Sequence, residues 1–187
     1  MRALNTDDAG LAARARNGES KAFAELVSRH QDRVFRFVLR MTGSREEAMD
    51  ITQETFMKAW QAMPRWRAEA QFGTWLLQIA RNGTLDLLRR DAVVGFEALD
   101  DEFPAADPMP GPEERVDARR RLESLDAALR SLAVEHREVL LLREVEGLSY
   151  DEIAETLGVA GGTVKSRIAR ARASLLERLV SATGEQG

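Results

Sequence analysis

Residues 141–179 constrain this chain more than any other stretch, because they contain two short amphipathic helical patterns separated by a turn with a glycine. The first pattern opens with a capping box, Ser149-Tyr150-Asp151-Glu152, whose serine and glutamate side chains bind two backbone amides that the helix leaves free. Gly158 falls where a helix end needs a left-handed residue. The stretch therefore predicts a helix-turn-helix unit.

The second helix of this unit has an apolar side and a basic side. Val164, Ile168, Ala171 and Leu175 recur at helical spacing and are expected to be buried. The opposite side is expected to face outward and carries Lys165, Ser166, Arg167, Ala169, Arg170 and Arg172. A solvated face on an ordinary bundle helix would account for the charges alone. The capping box and the glycine turn favour a DNA recognition helix instead.

Composition narrows the class of protein. With 44% hydrophobic and 31% charged residues and few aromatics, the 187-residue chain is expected to be a soluble all-α protein. It has no long apolar run and no secretory signal at the N-terminus, so a cytoplasmic location is expected. It contains no cysteine, and His30 and His136 are isolated. We therefore expect no metal site, cofactor or catalytic residue, and we expect His30 to be a hydrogen-bonded or boundary residue.

The net charge of −4 is unusual for a DNA-binding chain, because DNA-binding domains are normally basic. The acidic residues are concentrated in residues 91–117, where Arg115 is the single basic residue and four prolines occur. Residues 91–112 are expected to form a flexible acidic linker between two small helical domains, residues 1–90 and residues 113–187. Most of the negative charge is thus expected in the linker and not in the two domains.

Four helical patterns precede the linker. Asp7 or Asp8 is expected to cap the first, and the second is expected over residues 20–42. A second capping box, Ser44-Arg45-Glu46-Glu47, begins the third helix, and the fourth is expected from about residue 71 to residue 90.

The third helix, which Pro64 ends, has two distinct sides. Its apolar side is expected to face inward through Trp60 and Met63. Residues at the spacing of a single helical face lie on another side, namely Asp50, Gln53, Glu54 and Met57. These four are expected to be exposed.

Two motif sets resemble the conserved regions of extracytoplasmic-function sigma factors, group 4 of the sigma-70 family. The resemblance to region 2 lies in the motifs DITQETF at residues 50–56, KAW at 58–60, FGTWL at 72–76 and IARN at 79–82. The resemblance to region 4 lies in the motifs REVLLL at residues 137–142, GLSY at 147–150, GV at 158–159 and GTVKSR at 162–167. The resemblance covers both domains and implies a transcription initiation subunit without catalytic residues, which binds core RNA polymerase and the −10 and −35 promoter elements.

The resemblance also implies roles by position. Contacts to the beta-prime clamp helices of the polymerase are implied for Asp50, Gln53, Glu54 and Met57. Contacts to the −10 element are implied for Trp66, Arg67, Arg81, Asn82, Arg89 and Arg90. Contacts to the −35 element are implied for Thr163, Lys165, Ser166, Arg167, Ala169, Arg170 and Arg172. The beta flap of the polymerase and an anti-sigma factor are further implied partners.

Several assignments have alternatives. Trp66 could equally belong to the core. Arg170 is expected to bind a guanine edge with two hydrogen bonds, and Arg172 a phosphate. Ala169 departs from the larger residue of some relatives, which leaves the −35 specificity open. A rival function is a self-sufficient regulator that dimerises through the N-terminal domain, and another is a structural helical adaptor.

Overall fold

The computed structural model describes residues 6–67, 70–94, 122 and 124–184. The helices are α1 (Thr6–Arg16), α2 (Ser20–Thr42), α3 (Arg45–Ala62), α4 (Phe72–Val94), α5 (described at residue 122 and over residues 124–130), α6 (Val134–Leu140), α7 (Tyr150–Leu157) and α8 (Gly161–Gly184). No strand occurs in these ranges, so the all-α prediction is confirmed. Helix α4 continues past the predicted boundary at residue 90, and the rest of the predicted linker lies outside the described residues.

The chain divides into two compact units, and α2 is the central helix of the first. It contacts α1, α3 and α4, and it ends at Gly43 in the left-handed conformation, where the Gly43 N–H donates to the Leu39 carbonyl at 2.8 Å. The core of this unit consists of apolar residues from all four helices, among them Leu11, Leu26, Val34, Phe37, Val38, Met41, Ala48, Phe56, Ala59, Leu76, Leu77 and Ala80.

Helix α1 is tied to α2 by a buried polar cluster. Helix α1 begins at Thr6, so Asp7 and Asp8 both lie inside it and the prediction that one of them caps it is wrong. Asp8 instead faces α2. Its carboxylate lies 2.8 Å from His30 Nε2 and accepts a hydrogen bond from Arg29 at 3.1 Å. His30 is therefore a hydrogen-bonded residue, as predicted. Burial lowers the pKa of His30, and the bond to Asp8 opposes that shift.

Gly73 allows α4 to approach α2 closely. A Cβ atom at this position would lie 2.5 Å from Arg33 Nη1 and 3.1 Å from His30 Cε1. Phe72, the preceding residue, packs edge-on against the His30 ring with centroids 5.5 Å apart. The glycine of the FGTWL motif is thus explained by the space that the α2 side chains occupy.

The two predicted capping boxes differ. Ser149 and Glu152 form both bonds: the Ser149 N–H donates to Glu152 Oε2 at 2.8 Å, and the Glu152 N–H donates to Ser149 Oγ at 3.2 Å. At α3, the Glu47 N–H donates to Ser44 Oγ at 3.3 Å, but the Ser44 N–H donates to Thr42 Oγ1. The second bond of this box is absent because Thr42, two residues earlier, satisfies that amide.

The second unit is organised by Arg137 and by an irregular turn. Arg137 is buried and donates to the carbonyl oxygens of Leu129, Arg130 and Leu132, which caps the end of α5. Burial lowers the pKa of Arg137. Helix α6 then widens into a π turn at Leu141–Val145, which the helical periodicity did not predict. Gly158 separates α7 from α8 at φ +65, as predicted.

Candidate functional site

The four residues predicted to dock on the polymerase form one exposed stripe along α3. Asp50, Gln53, Glu54 and Met57 are all exposed, and Met57 as a whole residue is 55% exposed. Glu54 forms an ion pair with Lys58, one turn further along, at 2.8 Å. The predicted exposure of this stripe, defined by these four residues, is therefore confirmed.

An apolar groove of about 860 Å³ lies between α2 and α3 beside the stripe. Its lining includes Phe23, Val27, Phe35, Met49, Phe56 and Trp60, together with Gln53 and Met57 of the stripe. Trp60 is 39% exposed and its ring lies 4.9 Å from the Phe23 ring, so the prediction that it faces inward is wrong. The apolar residues of α2 and α3 extend beyond the strip that the two helices bury against each other. An apolar surface on α2 and α3 that is wider than the contact between them is the feature of the sequence from which the groove could have been predicted.

Trp66 lies in an aromatic cluster at the start of α4. Its ring centroid is 5.9 Å from that of Phe72 and 5.8 Å from that of Trp75, and the residue is half-buried. Arg67 is exposed, and the next two residues lie outside the described residues. Trp66 therefore packs against its aromatic neighbours and still exposes part of its ring. These contacts fit a core residue and a DNA-binding residue equally, so its role in DNA binding stays a prediction.

The outer side of α4 is basic but partly compensated. Asn82, Arg89 and Arg90 are exposed, whereas Arg81 is half-buried and donates to Asn82 Oδ1 at 3.3 Å. Asp86 accepts from Arg89 at 2.7 Å, and its backbone carbonyl accepts from Arg90 at 3.2 Å. The structure thus brings the predicted −10 residues of α4 onto one side, with Asp86 among them.

The centre of the outward face of α8 presents Lys165, Ala169 and Arg170. Ser166 is half-buried and donates to the Thr163 carbonyl at 2.9 Å. Arg170 folds back along the helix, where its Nε donates to the Ser166 carbonyl and its Nη2 to Ser166 Oγ, both at 3.3 Å. On the opposite side Val164, Ile168 and Ala171 are buried as predicted, whereas Leu175, which was also expected to be buried, is only half-buried.

Two other arginines of α8 lie on its flanks beside carboxylates. The Arg167 side chain is 24% exposed and lies 4.0 Å from both Glu135 and Glu138, so it does not project outward as predicted. On the other flank, Arg172 donates from Nη2 and Nε to Glu144 Oε1, at 2.5 and 3.1 Å. The hydrogen bond to Glu144 raises the pKa of Arg172. These pairs join residues far apart in sequence, so periodicity gave no signal for them.

Within residues 6–67, 70–94, 122 and 124–184, no three or more His, Cys, Asp or Glu side chains are grouped so that they could hold a metal ion. In the same part of the chain, no helix combines the length and the apolar character needed to cross a membrane.

Comparisons with known families match both units. The family model of sigma-70 region 2 matches residues 26–93, and that of sigma-70 region 4 matches residues 122–175. The ECF RNA polymerase sigma factor SigE of Mycolicibacterium smegmatis is 41% identical, over 86% of this chain. The chain spans only 63% of the length of SigE. The RNA polymerase sigma factor NccH of Alcaligenes xylosoxydans xylosoxydans is 37% identical, over 93% of this chain and 95% of NccH.

Two solved structures share the fold over most of the chain. One is CnrH in complex with the cytosolic domain of CnrY, with a TM-score of 0.71, 30% identity and coverage of 93% of this chain and 97% of CnrH. The other is RpoE of Bartonella quintana with the anti-sigma factor NepR, with a TM-score of 0.72, 28% identity and coverage of 85% and 97%. The ECF RNA polymerase sigma factor SigW of Bacillus subtilis, a further relative, is 33% identical over 88% of this chain and 92% of SigW. The chain therefore belongs to the extracytoplasmic-function RNA polymerase sigma factors of the sigma-70 family.

Proposed function

We propose that this chain binds core RNA polymerase and directs it to promoters by recognising a −10 element with the first unit and a −35 element with α8. The observation that carries this proposal is the exposed stripe of Asp50, Gln53, Glu54 and Met57 beside an open apolar groove. A self-sufficient regulator that dimerises through the N-terminal domain would use the same surface for its second copy, so binding of core polymerase is what separates the two functions. Polar side chains around accessible apolar ones are typical of a protein–protein interface.

The division of labour follows the two matched regions. The first unit, within residues 1–90, contributes Trp66, Arg67, Arg81, Asn82, Arg89 and Arg90 to the −10 element. The second, within residues 113–187, contributes α8 to the −35 element and docks on the beta flap. Residues 91–94 of the acidic stretch belong to α4, and the further residues up to 112, about 18, can reach up to roughly 60 Å when fully extended. That is comparable to two turns of DNA at about 34–36 Å each.

On α8, Lys165 and Arg170 are the residues that we expect to contact DNA first, because they lie at the centre of the exposed face. Arg170 is the candidate for reading a guanine, since a guanidinium can bond O6 and N7 together. It must first leave Ser166, whose oxygens it contacts at 3.3 Å. Thr163, Ser166 and Ala169 complete the face. Sigma factors of this family are non-enzymatic initiation factors, so the chemistry belongs to the polymerase.

An anti-sigma factor is the proposed inhibitor. RpoE of Bartonella quintana, to which this chain is similar, was crystallised with the anti-sigma factor NepR. The groove between α2 and α3, the basic face of α8, or both would be the surfaces that such a partner covers. Because this chain has no cysteine, a redox signal would have to act on the partner. We place this exchange of partners in the cytoplasm, with the polymerase.

In vitro transcription with core polymerase on a promoter library tests the proposal directly. The expected result is initiation at a subset of promoters that share −10 and −35 sequences, and only when both proteins are present. Gel filtration with and without core polymerase is the companion measurement. Tight, sequence-specific binding of promoter duplex by the chain alone, with no co-elution with the polymerase, would favour the self-sufficient regulator.

A further inference from the structure

Glu144 is held against α8 by the π turn at Leu141–Val145. The neighbouring Arg143 fixes that turn, because it donates to the Leu148 carbonyl at 2.7 Å and its guanidinium lies 4.9 Å from the centre of the Tyr150 ring. Glu144 is thereby directed to Arg172, which is 28 residues away in sequence.

The geometry of the pair matters for DNA binding. Both Nε and Nη2 of Arg172 bond the same oxygen of Glu144, so one edge of the guanidinium is occupied. A phosphate oxygen would use the same pair of N–H groups in a side-on contact. The side chains of Arg172 and Glu144 are 55% and 49% exposed, so solvent and DNA can reach both.

The cationic side chains of α8 differ in whether they form ion pairs. Among the described residues, the ion pairs of this helix involve Arg167 and Arg172, and none involves Lys165 or Arg170. The charges at the centre of the face are available to DNA, while those on the flanks are compensated. Binding to DNA of any sequence depends on the number of phosphates neutralised, whereas selectivity depends on base contacts.

We propose that Glu144 competes with DNA phosphate for Arg172, and so lowers the affinity of α8 for DNA of unrelated sequence without weakening the base contacts of its central face. The inference rests on the proposed function of α8. A phosphate contact carries no sequence information, so the competition lowers the affinity for unrelated and for cognate DNA by about the same factor. Glu144 thus limits how long α8 stays on unrelated sites, which the genome offers in very large excess, while the choice between sites remains with the base contacts.

The test is fluorescence anisotropy of the full chain on a duplex of unrelated sequence, over a series of salt concentrations. Glu144→Gln should tighten binding about threefold, the order expected for an exposed ion pair. It should also steepen the salt dependence by about 0.9, the contribution of one additional phosphate contact. Glu155→Gln, an exposed position on α7 with the same change of charge, is the matched control and should have a smaller effect. Circular dichroism verifies that each variant is folded.

A second substitution makes the test specific to the contact. In Glu144→Gln combined with Arg172→Ala, the gain in affinity should disappear, because the liberated guanidinium is no longer there. Weaker binding by Glu144→Gln, or a gain no larger than that of Glu155→Gln, would overturn the inference. Arg170→Ala separates the two proposals: if it weakens binding while Glu144→Gln has no effect, only the competition is wrong. If Arg170→Ala combined with Lys165→Ala also has no effect, α8 contributes nothing to the binding of this duplex and both proposals fail.

Discussion

The two candidate surfaces are held in position by different kinds of interaction. Behind the α3 stripe, α2 and α4 pack closely across Gly73, and a buried hydrogen bond joins Asp8 to His30. Beside the basic face of α8, exposed ion pairs such as Arg172 with Glu144 decide which charges are available. A change behind the first surface should therefore act through packing and stability. A change beside the second should act through charge, with little effect on folding.

The largest effect is expected from reversing a charge on the α3 stripe. Glu54→Arg should weaken binding to core polymerase by about 3 kcal/mol, on the order of a hundredfold in Kd, if this carboxylate is buried against a positive partner. Gln53→Ala should cost less. Helicity should not change, because Glu54 is exposed. A core-binding titration with circular dichroism measures both.

Lys58 supplies the control for that experiment. It forms the ion pair with Glu54 within the helix, so Lys58→Ala removes the pair but leaves the carboxylate in place. If Lys58→Ala weakens core binding as much as Glu54→Arg does, the effect arises from the helix itself. Wild-type affinity in a folded Glu54→Arg protein would contradict the assignment of the stripe.

Arg170→Ala should have the next largest effect, and on the other surface. Loss of a bidentate guanine contact should cost about 1–3 kcal/mol at the cognate −35 site and relax the preference at that base pair. Arg178→Ala, an exposed position further along α8, matches the change of charge and should leave the preference intact. The measurement is promoter binding by reconstituted holoenzyme over single-base variants of the −35 element. Equal weakening of all variants would show that Arg170 contacts a phosphate.

The packing behind the α3 stripe can be probed with two glycines of the same helix. Gly73→Ala should lower the free energy of unfolding by about 1 kcal/mol, because its Cβ atom would crowd His30 and Arg33. Gly83→Ala should raise it by about 0.5–1 kcal/mol, since its Cβ atom would meet Ile51 at an ordinary 3.6 Å and alanine favours the helix. Urea denaturation compares the two. The same sign for both would show that α4 relaxes freely over α2.

The buried His30 should make the free energy of unfolding of the first unit depend on pH. The ion pair beside the basic face of α8 should add no such dependence. Because burial lowers the pKa of His30, the unfolded chain takes up more protons than the folded chain as the pH falls below about 6.5. The free energy of unfolding should therefore fall between pH 6.5 and the lower pKa of the folded state. His30→Gln, which cannot titrate, should flatten that part of the profile. An unchanged slope in His30→Gln would assign the pH dependence to other titratable groups.

Local features were the most predictable from the sequence. The capping box at Ser149 and the left-handed Gly158 depend on residues within one turn, and both were predicted correctly. Trp60 was predicted to face inward because it follows the apolar spacing of α3, but the groove beside it is left open. The contact of Arg172 with Glu144 joins two helices through a π turn, and no periodicity encodes such a pairing. Tertiary contacts of this kind decide which predicted site residues are available.

The smallest effect is expected for Arg172→Ala, and it bears most directly on the comparison. If Arg172 were a fully available phosphate contact, its loss would weaken all sequences about equally and lower the salt slope by about one unit. Because Glu144 already holds two of its guanidinium nitrogens, the expected change in slope is well below one unit. Removing Glu144 first should restore the full change, since the arginine then faces DNA alone. Salt titrations of Arg172→Ala, measured in the wild-type and in the Glu144→Gln background, provide both changes in slope.

Two outcomes would contradict this expectation. A full unit of slope lost in the wild-type background would mean that the ion pair opens without cost on DNA. A change of preferred base in Arg172→Ala would mean that Arg172, and not Arg170, reads the −35 element.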